Sequence, residues 1–280
     1  DAGDDADDLA EARAVKAYYL QQIAFWYQWM FGTQVSSAVG SDGGEFRFEL
    51  AQAEAMEAWV RGVSNEKPSL PELLRVAAAW RIAGDEGRCI AVLEEAMANP
   101  ETTEQGRYAA LVQLGYVLLR SDDPDCERAI SIFERASALR PSEPTVKNNL
   151  AYAIASCDGD LETALPLSLD VVAAEPGNAA YRDTLGEIYW RMYEKVEAGS
   201  LEGWTTKDLL AKAGQEVRNA IEINPIKVQS GIHLAKVHLA RDECGDARTA
   251  LKKAGDSDPT LGEQGQIDRL MEALADCGKG

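Results

Sequence analysis

Residues 129–141, AISIFERASALRP, carry a spacing that returns along the chain: a small residue, an apolar one four later, a small one three later and a proline five later. It comes back as Ala164, Ser168, Val171, Pro176, as Ala213, Val217, Ala220, Pro225, and as Ala247, Leu251, Ala254, Pro259. A weaker copy runs Cys89, Leu93, Ala96, with Pro100 one residue early. Offsets of four and seven return to one face of a 3.6-residue helix, so each copy predicts one amphipathic helix. The proline cannot bond into the preceding turn and marks the helix end. Nine and ten residues after three of these prolines stand large-small pairs: Leu150-Ala151, Leu185-Gly186 and Leu234-Ala235. Val76-Ala77 and Leu114-Gly115 hold the same place in the two earlier units. A small residue there lets two helix backbones cross closely. The repeating unit is a helix hairpin.

A large-small pair on a first helix, followed by Ala, a bulky residue, Ala and Pro on a second, resembles the tetratricopeptide repeat. The unit Tyr108 to Pro141 carries the resemblance most fully, with Leu111, Leu114, Gly115, Leu118, Ala129, Phe133, Ala136 and Pro141. The resemblance spans residues 70 to 260 and implies an all-α, right-handed superhelical solenoid. Its five hairpins are expected at 70–103, 108–141, 144–176, 179–225 and 228–259. Against the family's spacing, two extra residues fall near Asp122 to Asp125, one near Asp158 and fifteen between Tyr189 and Ala213. All lie in turns between paired helices, where insertion is tolerated. After Pro259, Arg269 stands where a small residue is wanted, while Ile267, Leu270, Met271 and Leu274 keep one apolar face. Residues 260–280 therefore read as a solvating C-terminal helix and tail.

Residues 1–65 lack the repeat and read as an N-terminal helical cap behind an acidic leader, DAGDDADDLAE. Helices are expected over 5–31 and 45–63, broken at VGSDGG. Tyr18, Tyr19, Phe25, Trp26, Tyr27, Trp29 and Phe31 would cover most of the first helix's circumference, so it should be buried on nearly every side. It either folds against the first repeat or drives homo-oligomerisation, with Tyr18, Phe25, Trp26 and Trp29 as candidate self-association residues. The apolar run 17–31 is shorter than the roughly 20 residues a bilayer needs, so no membrane insertion is expected of it. A net charge of -19 opposes nucleic acid and anionic lipid.

Catalytic motifs are missing: HExxH, GxSxG, the P-loop and GxGxxG do not occur. His233 and His238, the two histidines, stand five apart, about 140° around a helix, and do not form a metal pair. No cofactor, metal or catalytic residue is expected. The chain reads as a non-catalytic scaffold.

In tetratricopeptide arrays the first helices line a concave surface that holds peptides or protein segments. The resemblance implies, as partner-binding residues here, Arg81, then Tyr116 and Arg120, then Asn148, Asn149 and Tyr152. They continue through Asp183, Glu187, Trp190 and Arg191 to Lys236, with Val112, Gln229 and Ile232 beside them. Aromatics supply contact area and amides bond an extended backbone. The family's cationic clamp for a terminal carboxylate is not matched, since Ala180, Asp183 and Thr184 stand where its cations belong. With the repeats in register, Cys126 with Cys157 and Cys244 with Cys277 can form disulfides, leaving Cys89 buried alone. Such bridges favour a periplasmic or extracellular location over the cytoplasm, and the start at Asp1 fits a removed leader.

Overall fold

The computed structural model describes residues 37–39, 45–63, 68–99, 102–121, 123–225, 227–257, 259, 261–275 and 277. Tyr18, Phe25, Trp26 and Trp29 lie outside them. The chain divides into two compact units, Asp1–Leu139 and Arg140–Gly280.

The first unit opens with a short antiparallel hairpin, β1 (Ser37–Val39) and β2 (Glu45–Arg47), with Ala38 opposite Phe46. The helix expected over 45–63 therefore begins only at Phe48. Residues 45–47 pair instead with 37–39, a fold-back that the glycine-rich stretch between them allows. Helix α1 (Phe48–Val63) packs on α2 (Leu70–Ile82), which pairs with α3 (Glu86–Ala98). Helix α4 (Glu104–Arg120) pairs in turn with α5 (Cys126–Leu139). Side chains at the helix starts take up the unpaired amides. Asp85 accepts from Arg88 N at 2.9 Å, Thr103 from Gly106 N at 3.1 Å, and Glu72 reaches back to Ser69 N at 2.7 Å.

Polar contacts join α1 to this first hairpin. Trp80 is fully buried and its indole N–H donates to Glu57 of α1 at 2.8 Å. Arg61 of α1 bonds both Glu57 and Glu95 at 2.8 Å, and Arg88 sits 4.8 Å over the Trp80 ring. Helix α1 thus covers the outer face of α2, the role a terminal cap must play in a stacked array.

The second unit repeats the hairpin three times: α6 (Pro144–Ser156) with α7 (Leu161–Ala174), α8 (Ala179–Glu197) with α9 (Thr206–Ile223), and α10 (Val228–Leu239) with α11 (Cys244–Gly255). The small residues of the sequence pattern sit at the crossings. A Cβ on Gly115 would meet the Phe133 ring at 2.6 Å, and one on Gly186 would meet Val217 Cγ2 at 2.6 Å. Helix α12 (Leu261–Ala273) lies on α10 and α11, where Ile267 and Leu274 join Val228, Ile232, Leu251 and Ala254 in one core. The Cys244–Cys277 disulfide, with Cα atoms 5.8 Å apart, ties the start of α11 to the segment after α12.

The fifteen-residue insertion is absorbed largely by lengthening α8 and α9, whose long mutual interface leaves only residues 198–205 as loop. Leu201 is half-buried there, but Trp204 stays 37% exposed and does not pin the loop. The loop is instead set by its backbone. Gly199 and Gly203 take positive φ, and Thr205 caps α9 by accepting from Asp208 N at 3.1 Å. Among the described residues, no helix is long and apolar enough to cross a membrane.

Candidate functional site

On α8, Asp183, Glu187 and Arg191 recur every four residues and therefore share a face. That face meets α10, which follows Lys227 and carries Gln229, His233 and Lys236. Asp183, Glu187 and His233 are each only 3% exposed. His233 stands between the two carboxylates: Nδ1 is 3.2 Å from Asp183 Oδ1 and Nε2 is 3.1 Å from Glu187 Oε2. Lys227 donates to Asp183 Oδ2 at 2.9 Å, Arg191 donates to Glu187 Oε1 at 2.9 Å, and Lys236 lies 3.8 Å from Glu187 Oε2. Gln229 Nε2 approaches His233 Nε2 at 2.9 Å.

Burial alone would penalise both charged carboxylates. At Asp183 that penalty is outweighed by His233 and then Lys227, which hold the carboxyl well below its ordinary range. At Glu187 burial is again opposed, by His233, Lys236 and Arg191, and its carboxyl is also lowered despite repulsion from Asp183. A ring with its proton on Nδ1 suits this geometry: it donates to Asp183 and accepts from Gln229 at Nε2. Among the described residues no donor is aligned with Glu187 Oε2.

The residues expected on a partner-facing surface divide by burial. Within the second unit, Tyr152, Trp190, Arg191 and Lys236 are half-buried, and Trp190 leans on Tyr193 with ring centroids 5.2 Å apart. Asn148, Asn149, Asp183 and Glu187 are buried instead, as is Ile232. Asn148 Oδ1 has no hydrogen-bond partner among the described residues. Within the first unit, Arg81 and Arg120 are exposed, and Tyr116 packs edge-on against Phe133 at 5.7 Å.

His233 is the member that sequence reasoning left without a role. Repeat register could have found it. Counted from Leu150-Ala151, Leu185-Gly186 and Leu234-Ala235, the positions Asn149, Thr184 and His233 are equivalent, and all three are buried and polar. On α10 this position faces the neighbouring first helix, which brings the imidazole to the carboxylates of α8.

No family model and no curated protein sequence matches the chain. Among solved structures, TTC0263, a thermophilic tetratricopeptide protein of Thermus thermophilus, is similar at TM-score 0.52 and 24% identity, over 61% of this chain and 83% of that one. MamA from Desulfovibrio magneticus RS-1, from residue 41 to its end, gives 0.47 and 18% over 68% and 94%. YrrB, a tetratricopeptide protein with an unusual peptide-binding site, gives 0.43 and 15% over 78% and 99%. Close-crossing glycines, paired helices and the likeness to TTC0263 agree with the repeat landmarks of the sequence: the chain has the tetratricopeptide-repeat fold.

Proposed function

We propose that the chain is a non-catalytic scaffold that holds an extended peptide or protein segment on the faces of its first helices. The observation that carries this reading is the mixed surface of α6, α8 and α10. It presents the half-buried aromatics Tyr152 and Trp190 beside buried polar groups, among them Asn148 Oδ1, an acceptor with no donor among the described residues. An extended backbone offers N–H donors at regular spacing, and aromatic side chains provide contact area at low entropic cost. Charges of both signs on this surface, Arg191 and Lys236 beside Glu194, favour a segment of mixed charge. In the first unit Arg81, Tyr116 and Arg120 serve the same purpose. The chain works outside the cytoplasm, where its cysteine pairs are oxidised. Selection of peptides from a displayed random library against the full chain tests the reading. Enriched sequences should lose binding to a Tyr152→Ala/Trp190→Ala variant, and failure to enrich any sequence over an unrelated helical protein would contradict it.

A second reading concerns self-association through Tyr18, Phe25, Trp26 and Trp29, favoured by the density of aromatic residues in that stretch. Light scattering of the full chain separates the two: a monomer would remove the second reading and leave the first standing.

A further inference from the structure

The turn between α10 and α11 brings together His238, Glu243 and Asp246, whose ligand atoms all lie within 4.8 Å of one another. His238 Nδ1 is 2.5 Å from Glu243 Oε2, and Asp246 sits in the first turn of α11, one helical turn beyond Glu243. His238 is half-buried, so its ring is held by its surroundings while its edge remains reachable. A cavity of about 190 Å³ opens here, with Leu234, His238, Asp246 and Ala250 in its wall. It gives a path from solvent to the imidazole and to a carboxylate.

From this geometry we infer a binding site for a divalent transition-metal ion of the zinc type, with His238, Glu243 and Asp246 as its protein ligands. Zinc bonds imidazole nitrogen at about 2.0–2.1 Å and carboxylate oxygen at about 2.0–2.2 Å, which in a tetrahedron spaces ligand atoms about 3.3 Å apart. The His238–Glu243 pair must therefore open from 2.5 Å, and the separations of up to 4.8 Å must close, shifts within reach of side-chain rotation. Imidazole binds an ion through a nitrogen that carries no proton, so the ion replaces the His238–Glu243 contact as it enters. Three protein ligands leave at least one position to water, so the site is open rather than closed.

The charges around the site select the class of ion. Lys227 and Lys253 also line the cavity and repel a cation that is held only by diffuse attraction. Retention here therefore requires direct bonds, and an imidazole ligand favours zinc, copper, nickel or cobalt over magnesium or calcium.

The local structure holds the ligands in place before an ion arrives. Glu243 N donates to His238 O at 2.9 Å and Asp242 N to Leu239 O at 3.0 Å, while Asp242 turns the chain with a φ of 58°. The neighbouring Cys244 is anchored to Cys277. Rigid support of this kind limits the reorganisation that binding demands.

Calorimetric titration of the full chain with zinc chloride tests the site, with magnesium chloride titrated in parallel. The expected result is one equivalent of zinc bound, no comparable magnesium isotherm, and a loss of affinity of about 10- to 100-fold or more in Asp246→Asn and in His238→Ala. Asp246 is exposed, so Asp246→Asn keeps the fold if His238→Ala does not, and circular dichroism checks both. Zinc bound with unchanged affinity by Asp246→Asn and a folded His238→Ala would assign it to scattered surface carboxylates and overturn the site. Absence of any zinc isotherm would do the same.

Discussion

Asp183 and Glu187 are charged groups with almost no access to water, and His233 is the contact they share. Removing it leaves two buried carboxylates with less compensation, a change that typically costs about 3–5 kcal/mol. His233→Ala should therefore lower the urea midpoint of the second unit more than Lys236→Ala, which removes a half-exposed partner 3.8 Å from Glu187. Acid sensitivity follows from the same pair. Both carboxyls are held below their ordinary range in the folded chain, so on acidification the unfolded chain takes up protons first. Their stabilisation is complete above the unfolded carboxylate range, near pH 4, and is lost as pH falls through the lower folded values. Urea midpoints measured from pH 6 to pH 2 should fall less steeply in Asp183→Asn than in the parent chain. Sequence reasoning gave Asp183 and Glu187 a bound partner to meet, whereas both are buried against His233 of α10. Their burial depends on how far α10 stands from α8, which the spacing of landmarks within one hairpin does not encode.

Between the paired helices, the glycines separate packing from propensity. Alanine exceeds glycine in a helix by about 1 kcal/mol, but overpacking a filled crossing costs about 1–3 kcal/mol. Gly186→Ala places its Cβ 2.6 Å from Val217 Cγ2 and should lower the melting temperature. Gly245→Ala, in the first turn of α11 with open space around it, should leave it unchanged or raise it. These crossings were legible because a large-small pair ten residues beyond a proline has one geometric use. The β1–β2 pairing was not legible, since three-residue strands carry too few positions to show a period. The insertion was also misjudged, because extra residues at helix ends continue the helical pattern and only Gly199 and Gly203 mark where it stops. The cysteines give an independent test. Cys244 and Cys277 close a loop of 33 residues, and Cys277→Ser should cost roughly 3–4 kcal/mol on the chain-entropy account. Burial pushes the Cys89 thiol up to about 11, so it should resist alkylation until the chain unfolds. Peptide mapping of unreduced protein should recover the 244–277 linkage, and it tests the proposed 126–157 pairing in the same digest. Five alkylatable thiols would contradict both.

Over the whole chain, repeat architecture supplies a series of first-helix faces, and composition decides what they can hold. A net charge of -19 argues against polyanions, while tyrosine, tryptophan, amides and mixed charges on those faces suit a polypeptide. Fold class could be read from landmarks because the repeat states them five times. The partner surface could be read only as a set of positions, since which of them stay open depends on contacts between hairpins. The most direct measurement is the affinity of a library-selected peptide for the full chain and for Trp190→Ala, by fluorescence anisotropy. Trp190 is half-exposed and packs on Tyr193, so its removal spares the buried cluster on α8. An aromatic anchor contributes about 2 kcal/mol or more, so the scaffold account predicts a loss of roughly 30-fold in affinity. Equal affinity for the variant, and for one that also carries Tyr116→Ala and Tyr152→Ala, would contradict it.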